Sequence, residues 1–283
     1  MIIKVKKRGI FLFKIYNGGE IVARRIVITS GKGGVGKTTV TANLGRMLAK
    51  HGQRVVLIDV DFGLNNLDVV MGLENKTVYD ITDVVNGKCR LKQALIQDSI
   101  MNNLFLLPSG NYDAYANISG QNIKLIIENL SSVFDYVLID CPAGIDLGFH
   151  RAVACADEGI VVVTPNLSCL RDADKVLSIL NSYKLSSVNI AINRARGDLI
   201  VDKRVLPPMD IMQLLKTDII SILPEEDAVF LSSGLNLPTS SESYKAYKIF
   251  ANNLHHGAKK LYDVTNKYSG FFGSIKRSIR RSI

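Results

Sequence analysis

Closely spaced cysteine pairs are absent from the 283-residue sequence. The four cysteines, Cys89, Cys141, Cys155 and Cys169, are scattered with no C-x-x-C pair among them. The sequence therefore suggests neither a zinc site nor an iron–sulfur bridge. A reducing compartment is expected.

Long apolar runs are also missing. The longest ones, such as residues 137–139 and 160–163, have the length of strands, well below the roughly 20 residues of a transmembrane helix. Residues 1–25 lack the long apolar core of a secretory signal and are too poor in serine for a typical transit peptide. We expect a chain that does not span a bilayer, with a basic N-terminal extension whose role the sequence leaves open.

The basic charge is concentrated at the two ends of the chain. The net charge is +9, yet residues 26–265 hold 23 basic and 25 acidic residues. Residues 1–25 carry seven Lys/Arg against one acid, and residues 266–283 carry five against none. A nearly neutral body argues against a nucleic-acid-binding face spread over the fold. The predicted regions are an extension (1–25), a body (26–265) and a tail (266–283).

The body alternates short apolar strands with segments of helix length. This order predicts an α/β fold with a single doubly wound, mainly parallel sheet covered by helices on both faces. The predicted strands are 26–29, 55–59, 104–107, 137–140, 159–164, 188–193 and 219–223. The predicted helices lie near 37–50, 91–97, 121–133, 170–183, 209–216 and 243–262.

A phosphate-binding loop follows the first predicted strand of the body. The segment Gly31-Lys32-Gly33-Gly34-Val35-Gly36-Lys37-Thr38 satisfies G-x-x-x-x-G-K-[ST] and opens a predicted helix, which is the context that this motif requires. Its backbone N–H groups would surround the α- and β-phosphates. Lys37 would reach the β- and γ-phosphates, and the Thr38 hydroxyl would bind Mg²⁺. An ordinary glycine-rich turn is the alternative.

A second lysine, Lys32, directly follows the first glycine of this loop. It is badly placed to reach the γ-phosphate of its own subunit. It could instead extend across an interface and stabilise transition-state charge on a facing subunit, as an arginine finger does. The alternative is a solvated lysine.

Three carboxylates come at strand ends. Asp59 and Asp61 end one predicted strand and Asp140 ends another, so all three should meet at the carboxyl edge of the sheet. Asp140 fits a Walker B acid that holds Mg²⁺ through water, and Gly144 fits a turn that senses the γ-phosphate. Each carboxylate could alternatively cap a helix or turn. An intact N-K-x-D guanine signature is absent, which favours ATP over GTP.

The residues 32–39, Lys-Gly-Gly-Val-Gly-Lys-Thr-Thr, resemble the deviant Walker A motif of ATPases that hold two ATP molecules between two subunits. This group includes the ParA partition proteins, the nitrogenase iron protein and the Mrp-type carriers. Within it, the sequence is most similar to the MinD family, which positions the division septum, over most of residues 26–283. The similarity covers residues 58–68, 140–145 and 223–226.

The resemblance implies particular roles. Lys32, Lys37 and Asp61 would be catalytic, with Asp61 orienting the attacking water and Asp59 lying near the magnesium. The nucleotide would contact residues 31–39, including Thr39, and its adenine would lie near Asn193, Arg194, Pro224 and Glu225. The expected partners are a second copy with ATP sandwiched between the subunits, a MinE-like activator and a MinC-like division inhibitor.

The tail has an amphipathic pattern. On an ideal helix, the apolar residues fall within an arc of roughly 120°, namely Phe271, Phe272, Ile275, Ile279 and Ile283. The basic residues fall on the other side, namely Lys276, Arg277, Arg280 and Arg281. This pattern is typical of an interfacial helix on anionic lipid. The alternatives are a packed terminal helix and a disordered basic tail, and the resemblance to MinD favours membrane targeting.

Two other functions compete with the leading one. A ParA-like DNA-partition ATPase could use the basic ends on the phosphate backbone, although two phenylalanines on one face of the tail argue against it. An iron-protein-type carrier is disfavoured because no C-x-x-C is present. Lys-, Ile- and Asn-rich usage suggests an AT-rich genome, so an algal plastid is a plausible location, with bacterial cytoplasm as the alternative.

Overall fold

The computed structural model describes residues 2–7, 10–17, 20–62, 66–110, 118–232, 235–270, 273, 274 and 277, with side chains from Ala23 onward. Most of the predicted membrane residues lie outside these ranges, namely Phe271, Phe272, Ile275, Lys276, Ile279, Arg280 and Arg281. Three residues of the MinD-like segment 58–68 also lie outside them, namely Gly63, Leu64 and Asn65. Within the described residues, helices that are both long and apolar enough to cross a bilayer are absent.

A single eight-stranded sheet forms the centre of the body, in the order β11-β10-β9-β4-β8-β5-β7-β6. All neighbours are parallel except β6, which pairs antiparallel with β7. The strands are β4 (Arg24–Thr29), β5 (Val55–Asp59), β6 (Ile96–Gln97), β7 (Leu104–Leu107), β8 (Tyr136–Asp140), β9 (Glu158–Val163), β10 (Ser187–Ala195) and β11 (Ile219–Pro224). Every residue of β5 and β8 is buried, as expected for central parallel strands covered on both faces.

Helices connect these strands and supply the rest of the core. They are α1 (Lys37–Lys50), α2 (Leu67–Met71), α3 (Ile81–Val85), α4 (Leu91–Ala94), α5 (Gly120–Ser131), α6 (Leu147–Val153), α7 (Leu167–Leu180), α8 (Gly197–Val201), α9 (Pro208–Leu215), α10 (Asp227–Leu231) and α11 (Glu242–His256). The predicted mainly parallel α/β sheet is confirmed. The five-residue helices α2, α3, α8 and α10 are too short to produce a helical period in the sequence.

Two predicted helices extended too far. The helix near 91–97 ends at Ala94, because Ile96 and Gln97 pair with β7 as a short edge strand. The helix at 243–262 ends at His256, because Gly257 adopts a left-handed conformation with φ of 68° and closes the last turn. A glycine at that position is the usual C-terminal stop signal.

The N-terminal extension forms a separate antiparallel sheet with the order β1-β2-β3. Its strands are β1 (Ile2–Lys7), β2 (Ile10–Asn17) and β3 (Glu20–Val22). Strand β4 already begins at Arg24, so Arg24 and Arg25 lie in the sheet of the body. Arg24 pairs with Glu158 at 2.6 Å and Arg25 with Asp157 at 2.6 Å, which ties β4 to the start of β9.

Candidate functional site

The phosphate-binding loop connects β4 to α1 at the carboxyl edge of the sheet. Gly36 has φ of 94°, and a Cβ there would lie 2.5 Å from Nδ2 of Asn193. Gly31 packs against the backbone of α7, where a Cβ would lie 2.8 Å from the amide nitrogen of Ala173 and nearer still to Asp172. Only glycine fits these two positions, because one needs a left-handed backbone and both lack room for a side chain.

The two lysines of the loop have different surroundings. Lys37 begins α1 and is only 8% exposed, and its charge acts on the carboxylates of Asp140 and Asp61. Lys32 is exposed, and its Nζ donates to Oγ of Ser168 at 3.0 Å near the start of α7. This surface position agrees with the expectation that Lys32 does not serve its own subunit, and its role across an interface stays a prediction.

Asp59 and Asp140 lie side by side, because they are register partners on the parallel strands β5 and β8. Each is 2% exposed. The Asp59 carboxylate accepts from the backbone N–H of Asp61 at 2.9 Å and of Leu67 at 3.3 Å. Asp140 accepts from the Thr41 hydroxyl at 3.1 Å. The two carboxylates therefore converge as the strand ends predicted.

The electrostatics of this pair favour a cation. Burial raises the pKa of Asp140, and the attraction of Lys37 lowers it by a smaller amount. The net effect is a pKa raised to about 6. Burial and the neighbouring charge of Asp140 raise the pKa of Asp59 well above its ordinary value. Two adjacent buried carboxylates are costly to ionise together unless a positive charge joins them.

Asp61 and Gly144 complete the phosphate side of the site. Asp61 is half-buried, and burial raises its pKa although the Lys37 charge lowers it. The N–H of Gly144 donates to the Ser30 carbonyl oxygen at 3.0 Å, and Gly144 has φ of 90°. The turn after β8 is thereby attached to the first residues of the phosphate-binding loop.

The donor set fits Mg²⁺. Magnesium prefers oxygen ligands and is usually bound by one or two carboxylates together with substrate phosphates. Thr38 is half-buried beside Lys37, and its hydroxyl hydrogen-bonds to Asp140. Within the described residues, groups of three or more His, Cys, Asp or Glu side chains that could bind a metal alone are absent. Phosphate oxygens would therefore have to complete the coordination.

The predicted adenine residues line one cavity of about 440 Å³ next to the loop. Asn193, Arg194, Pro224 and Glu225 come from the ends of β10 and β11, and Gly36 and Thr39 come from the loop and α1. Asn193 donates from Nδ2 to the Val35 carbonyl oxygen at 2.8 Å, which joins β10 to the loop. Arg194 adopts φ of 53°, a left-handed conformation uncommon for a residue with a side chain.

Sequence reasoning missed five residues of the same cavity, namely Arg196, Glu226, Asp227, Val229 and Phe230. Phe230 is 81% exposed at its mouth. Arg196 pairs with Asp198 at 2.6 Å and lies 3.6 Å from the Glu225 carboxylate. The only available signal was that these residues follow the ends of β10 and β11, the edge where parallel sheets bind ligands.

Arg277 is the one predicted membrane residue within the described part of the chain. Its guanidinium Nε lies 3.2 Å from the Asp202 carboxylate, and Nη1 donates to the Tyr268 carbonyl oxygen. Its side chain is 19% exposed. The prediction placed Arg277 on an outward basic face, whereas here an ion pair with the body holds it.

Comparisons with known proteins agree with this geometry. A family model described as an AAA domain matches residues 23–193. A MinD sequence of Chlorella vulgaris is 44% identical over 259 residues, which cover 89% of this chain and 92% of that protein. This chain belongs to the MinD family.

Two solved structures extend the similarity to MinD proteins. The Aquifex aeolicus MinC:MinD complex matches with a TM-score of 0.78 and 40% identity, covering 84% of this chain and 97% of that one. The Pyrococcus horikoshii MinD structure, solved with Mg-ADP, matches with a TM-score of 0.74 and 29% identity, covering 82% and 96%. The family is that of septum site-determining ATPases, so the chain is an ATPase of septum-site placement.

Proposed function

We propose that this MinD protein is a membrane switch that dimerises around two ATP molecules, binds an anionic membrane in that state and is released on hydrolysis. The observation that carries the proposal is the complete phosphate side of one site, with Lys37, Asp59, Asp61 and Asp140 at a single edge of the sheet. The cofactors are ATP and Mg²⁺, which match the Mg-ADP of the Pyrococcus horikoshii structure.

Each side chain has a distinct task in hydrolysis. Lys37 binds the β- and γ-phosphates as a buried positive charge, and Thr38 together with Asp140 holds the magnesium ion. Asp61 orients the attacking water, and its half-buried position leaves one side open to solvent. Magnesium, when bound, neutralises charge on the phosphate oxygens. Lys32 of a second copy stabilises the remaining negative charge of the transition state.

We propose that dimerisation activates hydrolysis, and the exposed position of Lys32 supports this. Its Nζ is exposed and lies against Ser168, outside the loop that it belongs to. A cation that is supplied by a second subunit makes hydrolysis depend on dimerisation, and such a contribution is worth about 10³- to 10⁵-fold in kcat. The ATP-bound dimer would therefore be both the active enzyme and the form that carries two tails.

The paired tails explain membrane binding that depends on nucleotide. A single short amphipathic helix binds lipid weakly, whereas two tails on one dimer gain effective concentration. Hydrolysis separates the subunits, and each tail then dissociates. The Aquifex aeolicus complex supports a MinC-like inhibitor as one partner, and we propose a MinE-like activator as another. The relatives in an alga and in a bacterium support a plastid stroma or a bacterial cytoplasm as the location.

The DNA-partition alternative has less support. The Chlorella vulgaris relative at 44% identity is a MinD protein, and the charge excess lies at the ends rather than on the body. A partition ATPase would bind DNA with an affinity that falls steeply as salt rises.

Sedimentation with vesicles tests the proposal. The purified protein would be mixed with vesicles of phosphatidylserine and phosphatidylcholine under ATP, ADP or no nucleotide, beside a truncated chain that ends at Ser269. We expect binding that needs both ATP and the tail. Vesicle binding that does not depend on ATP, or no vesicle binding at all, would refute the switch and favour the hypothesis of a DNA-partition ATPase.

A further inference from the structure

The root of the tail is bound to the body by an ion pair at a defined place. Nε of Arg277 lies 3.2 Å from Oδ1 of Asp202, and the Asp202 side chain is 13% exposed. The same guanidinium donates to the carbonyl oxygen of Tyr268. Arg277 therefore has two acceptors on the protein and little contact with solvent.

Close backbone packing reinforces this ion pair. Tyr268 and Val264 are each 5% exposed. A Cβ at Gly273 would overlap the backbone of Tyr268, and a Cβ at Gly197 would overlap the carbonyl group of Val264. Gly197 thus lets Val264 and Tyr268 pack on the start of α8, and Gly273 in turn packs on Tyr268. The Arg277–Asp202 ion pair therefore lies beside closely packed backbone.

The chemistry of Arg277 makes this contact a competitor of lipid. A guanidinium binds carboxylate and phosphate with the same planar set of N–H donors. While Nε faces Asp202 and Nη1 donates to Tyr268, these donors are not available to a lipid phosphate, and the Arg277 side chain as a whole is only 19% exposed. The sequence places Arg277 among the basic residues of the tail, so the ion pair with Asp202 engages one residue of the predicted membrane-binding face.

We propose that Asp202 is an internal acceptor that holds the tail on the body, and that anionic lipid must displace it before the tail can bind a membrane. This inference rests on the proposed membrane function and adds a resting state to it. Asp202 directly follows α8, which itself follows the nucleotide-binding end of β10. It does not line the nucleotide cavity within the described residues, so its replacement should leave the nucleotide contacts themselves intact.

The first test is the variant Asp202→Asn. Without nucleotide and with ADP, its binding to phosphatidylserine vesicles should exceed that of the wild type by roughly three- to tenfold, as the loss of one ordinary intramolecular hydrogen bond implies. The matched control is Asp210→Asn, which changes the same charge at an exposed position on α9. Equal increases in both variants would overturn the inference, because they would reflect net charge alone.

A second variant releases the tail without a change of charge. Gly273→Ala should have the same effect as Asp202→Asn, since its methyl group would collide with Tyr268. Its control is Ser274→Ala, which also raises helix propensity but lies at an exposed position. If the two alanine variants bind vesicles equally, packing of Gly273 against Tyr268 does not restrain the tail.

Hydrogen exchange separates this inference from the proposed function. Without lipid, the amides of residues 273, 274 and 277 should exchange several-fold faster in Asp202→Asn than in the wild type. Unchanged exchange would overturn the internal contact even if the wild type binds vesicles with ATP. Faster exchange with no vesicle binding by any variant in any nucleotide state would overturn the membrane function, and with it the competition with lipid.

Discussion

Replacing Asp140 with asparagine should make the nucleotide-free protein more stable while destroying its ATPase activity. Asp140 lies beside Asp59 at the ends of two buried strands, and both carboxylates are 2% exposed. In the absence of magnesium, the folded state must bury two adjacent negative charges. An asparagine keeps the size and the Thr41 contact, removes one charge and can donate to Asp59.

The magnitude follows from the pKa of Asp140. Burial raises this pKa from 3.8 to about 6 despite the attraction of Lys37, so the folded state binds the extra proton between these two pH values. The contribution of Asp140 to stability is therefore highest in acid and falls as pH rises through this window. At pH 7 the full penalty is about 3 kcal/mol, which corresponds to a rise in Tm of about 6–12 °C for Asp140→Asn.

The assay is unfolding by urea and by heat in EDTA without nucleotide, from pH 4 to pH 8. The difference in the free energy of unfolding between Asp140→Asn and wild type should grow from near zero at pH 4 to its full value at pH 7. Mg-ATP should stabilise the wild type far more than the variant. Asp174→Asn, exposed on α7, is the control for a simple change of net charge.

The opposite result would refute the reasoning. If Asp140→Asn is less stable than the wild type at pH 7, then the attraction to Lys37 and the hydrogen bond from Thr41 outweigh burial. If the difference does not change with pH, then Asp140 does not titrate in this window. Either result would mean that the two carboxylates do not form the unfavourable pair that a cation would relieve.

Three further predictions concern the loop, its lysine and a histidine remote from both. Lys32→Ala should keep ATP binding near the wild-type level but lower kcat by about 10³-fold or more, measured by nucleotide binding beside turnover; a loss of binding instead would place Lys32 in its own site. Gly36→Ala should abolish ATP binding, because its methyl would lie 2.5 Å from Nδ2 of Asn193 at φ of 94°; calorimetric titration that shows wild-type affinity would contradict the close approach. Burial, together with the nearby His256 and His51, lowers the pKa of His255 to about 4. The unfolded state therefore binds more protons than the folded state between pH 6.5 and pH 4. The stabilising contribution of neutral His255 is lost as pH falls through that window. The stability of His255→Asn relative to the wild type should therefore rise by up to about 3 kcal/mol from pH 7.5 to pH 4, in urea titrations, and a flat difference would refute this.

The phosphate side of the site could be predicted because its information is local. The spacing in residues 31–38 specifies a strand-to-helix turn and a set of N–H donors, whatever the rest of the chain does. Asp59 and Asp140 were predictable for a related reason, since a carboxylate at the end of a buried parallel strand must lie at the carboxyl edge. Their register partnership adds only that the two strands are neighbours.

The features that sequence reasoning missed depend on contacts between distant segments. Ile96 and Gln97 belong to an amphipathic pattern that favours a helix, and only pairing with β7 makes them a strand. Arg196 and Phe230 carry no motif, and they line the cavity beside the phosphate-binding loop because β10 and β11 are adjacent. The period of the tail predicted a free basic face, but it contains no information on the carboxylate of Asp202, 75 residues earlier than Arg277.

The segment after β10 contacts both the cavity beside the phosphate-binding loop and the tail. Asn193, Arg194 and Arg196 line that cavity, Gly197 packs against Val264, and Asp202 binds Arg277. Only six residues separate Arg196 in the cavity from Asp202, the acceptor of Arg277. Coupling of this kind is reciprocal. If ATP weakens the Asp202–Arg277 contact, then anionic lipid must tighten ATP binding by the same factor, and Asp202→Asn must remove that factor from both equilibria.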